Sequence, residues 1–174
     1  MNILENEHIK LRAPEPEDLD FLYKWENDSN IWDVADTNEP LSKYLIKRYI
    51  AYSDKTIYEK KQQRLIIELQ NQKLVVGCID LYDFEAIHKR AGIGIVIDEK
   101  YRKHGFAFEA VSVLKNYAKK YLHLHQLYCY ISTDNEASIN LFKKADFKTS
   151  GELKEWIKTS DNQYTDVVIL THLL

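Results

Sequence analysis

The chain has few of the residues that interrupt, cross-link or loosen a fold. Its 174 residues include five glycines, three prolines, two cysteines and one methionine. Two isolated cysteines, Cys78 and Cys129, cannot build a zinc cluster. Each sits in an apolar run that reads as a strand, so no disulfide framework is expected and a reducing cytoplasm fits best. No apolar run approaches the roughly 20 residues of a membrane helix, so no membrane partner is expected. The opening MNILENEHIKLR lacks the apolar stretch of a secretory signal. Repeats, low-complexity tracts and Gly/Ser linkers are missing, which predicts a single domain over 1–174. Neither charge sign dominates: 24 Lys and Arg stand against 27 Asp and Glu, for a net charge of −3. That balance excludes a general nucleic-acid binder and confines any anion site to a local patch. No basic-aromatic platform for single strands stands out either. The patterns GxxxxGK[ST] and GxGxxG are absent, which excludes the two commonest glycine-rich nucleotide loops. What remains is ordinary globular composition, 45% hydrophobic and 29% charged, with twelve tyrosines expected mostly at core-like positions.

Hydrophobic periodicity divides the chain into alternating elements. His8 to Arg12 reads as a short strand. Pro14 and Pro16 with Glu17, Asp18 and Asp20 make an acidic helix start, and Leu19, Phe21, Leu22 and Trp25 give that helix its apolar face. A second helix is expected from near Pro40, with Leu41, Leu45, Tyr49 and Tyr52 as its face; residues 54–61 read as a loop or a frayed helix end. Arg64 to Leu69 and Lys73 to Phe84 read as strands around an Asn71-Gln72 turn, with Gly77 a bulge or a close backbone approach. Residues 85–90 form a charged turn. The run AGIGIVI, Ala91 to Ile97, is so uniformly apolar that burial on both faces is expected. A helix over 105–122, a strand from Gln126 to Ser132, a helix over 135–145 started by a Thr133/Glu136 capping box, and strands near 152–159 and 164–172 complete the chain. The fold class is α+β: a mixed, mostly antiparallel twisted sheet with a central parallel β-α-β unit and flanking helices.

The segment between the buried strand and the long helix carries the first chemical signal. Lys100, Arg102, Lys103 and His104 lead into Gly105, at which the helical pattern begins. A helix N-terminus exposes unpaired N–H groups and partial positive charge, and it attracts phosphate. Glycine there lets the backbone approach a ligand. From these residues alone, a phosphate loop and a plain solvated helix start stand as equal readings.

Four ordered motifs carry a family resemblance that runs nearly end to end. RKHGFA, residues 102–107, resembles the R/Q-x-x-G-x-G/A loop of the GNAT acyl-CoA-dependent N-acyltransferases. NEASINLFKKADF, from Asn135, resembles the family's N-x-x-(A/S)-x-x-L-Y-x-K-x-G-F helix. LRAPEPEDLDFLYKW and GELKEWIKTSDNQYTDVVIL are similar to the first strand and helix, and to the closing hairpin, of the branch with polyamine and ribosomal-protein N-terminal acetyltransferases. The resemblance implies acetyl-CoA as co-substrate, with no metal, held in a V between splayed strands 91–97 and 126–132. Main-chain groups of Ile95, Val96 and Ile97 would meet the pantetheine arm. The amides of Lys103, His104, Gly105, Phe106 and Ala107 would hold the pyrophosphate, with Arg102 opening the loop. Asn135 would touch the cofactor by its amide, with Ser138 one turn on and Phe142 beyond it.

The implied chemistry is attack of an amine on the acetyl thioester. A free alkyl amine has a pKa of about 10.4, so the site must take a proton from it. It must also steady the developing oxyanion. Two departures bear on this. Related members often carry Glu where this chain has Gly92, and Tyr where it has Phe142; neither residue here can move a proton. A third, Asp146 in place of Gly, concerns a turn. Asp80, Tyr82 and Asp83 are the candidates for the base, and Ser138 or Tyr130 for the acid. Alternatively water serves both needs while the enzyme supplies proximity, or the protein is a catalytically degenerate acyl-CoA-binding or sensor domain. The acceptor expected is a primary amine, a small cationic amine or polyamine or a protein N-terminus. Trp32, Asp33 and Glu39, in an acidic segment with Asp28 and Asp36, are the candidate substrate contacts, beside the alternative of a solvated loop. Tyr164 and Glu155 would border the same cleft. His88, His104, His123 and His125 lack acid or thiol partners at metal-ligand spacing, and Cys129 reads as a buried strand residue rather than a nucleophile. A homo-oligomer is a further expectation from the family.

Overall fold

The computed structural model describes residues 2–28, 39–51, 55–159 and 162–174. Trp32, Asp33, Asp36 and Tyr52 therefore lie outside the described residues. Seven strands form one sheet: β1 (Ile9–Arg12), β2 (Gln63–Leu69), β3 (Leu74–Glu85), β4 (Arg90–Ile97), β5 (Gln126–Ser132), β6 (Lys148–Lys158) and β7 (Tyr164–Leu173). Their order across the sheet is β1-β2-β3-β4-β5-β7-β6. Every neighbouring pair is antiparallel except β4 and β5. Among the described residues the helices are α1 (Leu19–Glu26), α2 (Lys43–Ala51), α3 (Ile57–Lys60), α4 (Phe106–Lys120) and α5 (Glu136–Lys144). The crossover through α4 is what makes β4 and β5 parallel, since the chain must return to the starting edge before laying the next strand. No helix among the described residues is long and apolar enough to cross a membrane.

The period-2 alternation of the strands sorts the sheet into two faces. On one face Leu65, Ile67, Ile79, Leu81, Ala91, Ile93, Leu127 and Cys129 pack with Ala110, Val111 and Leu114 of α4. On the other, Ile66, Val75 and Cys78 pack with Leu22 and Trp25 of α1 and with Ile46 and Ile50 of α2. Each such side chain contributes on the order of 1.5–3 kcal/mol by leaving water. A buried ion pair ties the start of α1 to the sheet. Asp18 accepts from Arg12 Nη1 at 2.7 Å and Nη2 at 2.9 Å, while Arg12 Nε reaches Glu68 at 2.6 Å.

Several local expectations are corrected by this packing. In α2 the buried side is Ile46 and Ile50, whereas Leu45 is 47% exposed, because docking onto Ile66 and Val75 sets the helix's rotation. Residues 57–60 form a short helix of their own rather than a loop or a frayed helix end, with a reciprocal Thr56/Glu59 capping box and a buried Ile57. The capping box expected from Thr133 is not made. Asn135 caps α5 instead, its Oδ1 accepting from the Ser138 N–H at 3.1 Å, while Thr133 turns to Thr165 at 3.3 Å. Among the described residues no tyrosine joins the buried core, because a phenol hydroxyl needs a polar partner and holds the ring near the surface. Strand β6 begins at Lys148, four residues earlier than its apolar pattern suggests, since it pairs along nearly the whole of β7. Asp146, where the family pattern has glycine, has φ 68° and takes the left-handed turn after α5 that glycine favours.

Gly77 shows both predicted properties. It flanks a bulge between β2 and β3, and a Cβ there would stand 2.2 Å from the Val96 carbonyl oxygen. Because that neighbour is backbone, the strand itself would have to shift. Gly77→Ala is expected to cost about 1–3 kcal/mol in urea unfolding; an unchanged midpoint would contradict the close approach.

Candidate active site

The site is built on an interrupted ladder. Strands β4 and β5 share only the rungs Arg90↔Gln126, Ala91↔Leu127 and Gly92↔Tyr128, and then part. The bond from the Asp98 N–H to the Val76 carbonyl fixes which β4 residues face β3. By the alternation of an antiparallel ladder, Gly92, Gly94 and Val96 bond to β3, and Ile93, Ile95 and Ile97 turn their main-chain groups toward the gap. This corrects the expectation of two-sided burial for AGIGIVI: Ala91 to Ile93 are buried, but Gly94, Ile95 and Val96 are half-buried along the opening.

The basic loop closes the wide end of this V. After a 3₁₀ turn, Glu99–Tyr101, Arg102 folds back and its Nε donates to the Ile97 carbonyl at 3.1 Å. Lys103 and Gly105 both have left-handed backbone, φ 65° and 88°. His104 Nδ1 lies 2.8 Å from the Arg102 carbonyl, and its ring stacks on Phe106. Gly105 is the N-cap of α4 and has no side chain to bond the first helical N–H groups. A Ser or Asp cap would occupy those donors; glycine leaves them to an anion. A Cβ built at Gly105 meets nothing within 4 Å, so the space in front of the loop is open. Unpaired strand groups in a gap, ending at a bare helix N-terminus with basic residues beside it, suit a long ligand with an amide-bearing arm and a phosphate end. CoA has that form.

A tether missed in the sequence holds the loop. Asp98, only 7% exposed, accepts from Lys24 Nζ at 2.6 Å, Trp25 Nε1 at 3.3 Å and the Lys100 N–H at 3.2 Å. Burial pushes its carboxyl up, but the bonds from Lys24, the Lys100 amide and Trp25 outweigh that and hold it below the usual range. Trp25 is thus a core residue with a polar task. Trp156, on β6, is 63% exposed and takes no part in the core.

The candidate acids and bases are spread from the narrow end of the V to the start of α5. Asp80, on β3, is engaged at both oxygens by Arg64, at 2.8 Å each, and Arg64 also bonds Glu26. Asp83 is exposed at a bulge with φ 46°. Tyr82 lies over Gly92 in a T-shaped contact with Tyr128, and Tyr130 is 49% exposed on β5. Asn135 and Ser138 stand together at the start of α5, both half-buried. Phe142 is 3% exposed and packs edge-on against Phe147 at 5.0 Å, within the core. Glu39 is exposed, and Tyr164 is 57% exposed on the closing hairpin, where Glu155 also lies. Burial pushes the thiols of Cys78 and Cys129 up to about 12, which keeps them protonated and inert. No cluster of three metal-ligating side chains occurs among the described residues.

A sheet splayed at its one parallel pair, with a glycine-capped helix aimed into the gap, defines an acyl-CoA-dependent N-acyltransferase. The sequence profile of the acetyltransferase (GNAT) domain matches residues 8–148, and the chain belongs to that family as an acetyl-CoA-dependent N-acetyltransferase. It is 28% identical over 145 residues to spermidine N(1)-acetyltransferase of Escherichia coli K12, covering 83% of this chain and 75% of the relative. The crystal structure of spermidine N-acetyltransferase from Vibrio cholerae in complex with CoA and spermine superposes with a TM-score of 0.84 at 26% identity, over 97% of this chain and 96% of that one. A dodecameric structure of the Vibrio cholerae enzyme in an intermediate state gives 0.80 at 25% identity, over 97% and 95%.

Two outcomes test this geometry. Gly105→Glu is expected to cut CoA affinity at least tenfold by calorimetry. Gly105→Ala, which adds only the roughly 1–2 kcal/mol of left-handed strain, should do much less; equal affinities would remove the loop from the site. For the tether, a carboxyl held below its unfolded value of about 3.8 contributes stability that is present above that pH and lost as pH falls through the lower folded value. Asp98→Asn is therefore expected to lower stability at pH 7 by about 1–3 kcal/mol. It should also flatten the acid limb in urea titrations between pH 5 and pH 2.

Proposed function

We propose that the acceptor is a small polycationic amine of the polyamine type. The observation that carries this reading is the end-to-end likeness to an enzyme crystallised with CoA and spermine. The narrow end of the V supports it. A recess of about 530 Å³ beside the turn between β3 and β4 is lined by Lys61, Asp83, Glu85, His88 and Tyr128, among others. A hydrogen bond from Arg90 holds the Glu85 carboxyl below the usual range, so it is ionised at neutral pH. An exposed Asp83, an ionised Glu85 and the ring of Tyr128 suit an ammonium chain.

The proposed chemistry follows from the placement of groups. CoA would lie along Ile95 and Ile97 with its pyrophosphate at Lys103 to Ala107, so that the acetyl group reaches the vertex. An arriving ammonium must lose a proton before it attacks. Asp80 is a poor acceptor because Arg64 claims both its oxygens. Asp83, exposed beside Tyr82, takes the proton through water in this scheme. The new N–C bond forms with charge gathering on the carbonyl oxygen; as that charge returns and the C–S bond breaks, the nitrogen gives its second proton to solvent and the departing thiolate collects one from it. Phe142 supplies packing only, and Ser138 is the remaining hydroxyl on that helix. The dodecamer of the relative leads us to propose self-association here as well, which sedimentation velocity would test.

Release of free CoA thiol from acetyl-CoA over a panel of amines tests the acceptor. Spermidine and spermine are expected to show kcat/KM at least tenfold above peptides with free N-termini. Asp83→Asn should raise KM for spermidine several-fold. Turnover confined to peptides would overturn the polyamine reading, and CoA binding with no turnover on any amine would overturn the enzymatic one.

A further inference from the structure

Gly92 lies beneath another residue's side chain. It pairs with Tyr82 across β3 and β4, and a Cβ built on it would stand 2.1–2.6 Å from three carbons of the Tyr82 ring. The nearest of these include the carbon that bears the hydroxyl, at 2.3 Å. A Cβ at Gly94 would meet the other edge of the ring at 3.8 Å. Tyr82 therefore lies flat across a glycine floor on β4, and its hydroxyl projects past β4 toward β5.

At β5 that hydroxyl comes near a particular donor. The last shared rung is Gly92↔Tyr128, and continuing the parallel ladder would send the Tyr130 N–H to the Ile93 carbonyl. Instead, the Tyr130 N–H lies near enough to the Tyr82 phenol to offset a little of what burial does to it, without closing a hydrogen bond. The phenol thus stands beside the place where the next rung would form. It stands at the vertex, about 16 Å of extended strand from Ile97 and the phosphate loop.

This placement bears on the direction of the phenol's own bond. With the Tyr130 N–H on one side of its oxygen, its own hydrogen is free to point into the gap. Tyr82 is half-buried, and burial raises its phenol well above the ordinary value. It remains protonated at working pH, which makes it a donor and rules it out as the base. We infer that Tyr82 is a catalytic residue of this enzyme, donating a hydrogen bond to the carbonyl oxygen of the acetyl thioester where negative charge develops during amine attack. The inference rests on the acetyltransferase reading of the V. No proton leaves the phenol: the charge that builds on oxygen returns to carbon as the C–S bond breaks. A fixed neutral donor of this kind needs no reorganisation as the charge appears.

The test is isotope-edited infrared spectroscopy of [1-¹³C]acetyl-CoA on the wild type and on Tyr82→Phe, with steady-state kinetics alongside. The variant keeps the ring over Gly92, and circular dichroism checks its fold. The bound carbonyl stretch should lie at lower wavenumber in the wild type than in the variant. The kcat of the variant should fall about 10²-fold, with CoA affinity within twofold and the shape of the pH–rate profile unchanged. Identical carbonyl frequencies would overturn the assignment whatever happens to turnover, and loss of one pH limb would make Tyr82 a base instead. Should Tyr82→Phe not fold, 3,5-difluorotyrosine at position 82, a stronger donor, should lower the wavenumber further; no shift overturns the inference. Failure of acetyl-CoA to bind the wild type would overturn the V itself, a result distinct from binding without a carbonyl shift.

Discussion

The structure depends on β4 and β5 separating after Gly92. A parallel pair that continued along its length would satisfy its own backbone and leave nothing for a ligand. Stopping at three rungs leaves a row of β4 main-chain groups facing open space. Unpaired backbone groups are costly when water is excluded, so the open edge must be met by water, ligand or side chain. Arg102 takes the Ile97 carbonyl at one end of the opening, and the Tyr82 phenol stands beside the Tyr130 N–H at the other. The groups between them face the gap. The gap is thus bounded by a side chain at each end.

The rest of the fold holds that gap in shape. Helix α4 crosses one face and delivers its N-terminus to the wide end, and its Glu109 is pinned to Asn6 at 2.8 Å and to His8 at 3.1 Å. Lys115 reaches the Ala145 carbonyl at 2.7 Å and joins α4 to the end of α5. On the other face α1 is joined to the basic loop through Asp98. A single buried carboxylate therefore links α1 to the turn that leads into α4. Movement at one would be felt at the other, because Asp98 bonds both Lys24 and the Lys100 amide.

Much of this was legible in the chain's order of residues. The elements around Gly105 and the parallel crossover follow from periodicity, and RKHGFA and Asn135 fall at the two helix starts beside the open end of the sheet. The short helix at 57–60 was also legible, since Thr56 and Glu59 have capping-box spacing, although the polar composition suggested a loop. The catalytic end was harder to read. Gly92 looked like a missing side chain, and in sequence it is one. Only the cross-strand register brings Tyr82 over it, and register is a property of paired strands rather than of either strand alone. Asp80 looked like a free acid because Arg64 is distant in sequence and adjacent only through β2–β3 pairing.

The sequence by itself determined the fold class and, through its likeness to a family, pointed to the cofactor. The fold class rests on local signals, alternation and helical period; the cofactor rests on four motifs met in order. Tertiary structure decided where β4 and β5 part, which acids are already paired, and that a phenol from β3 lies at the vertex. These depend on distances between residues far apart in the chain. Such distances are set by how two packed faces and seven strands settle together, which no local pattern encodes.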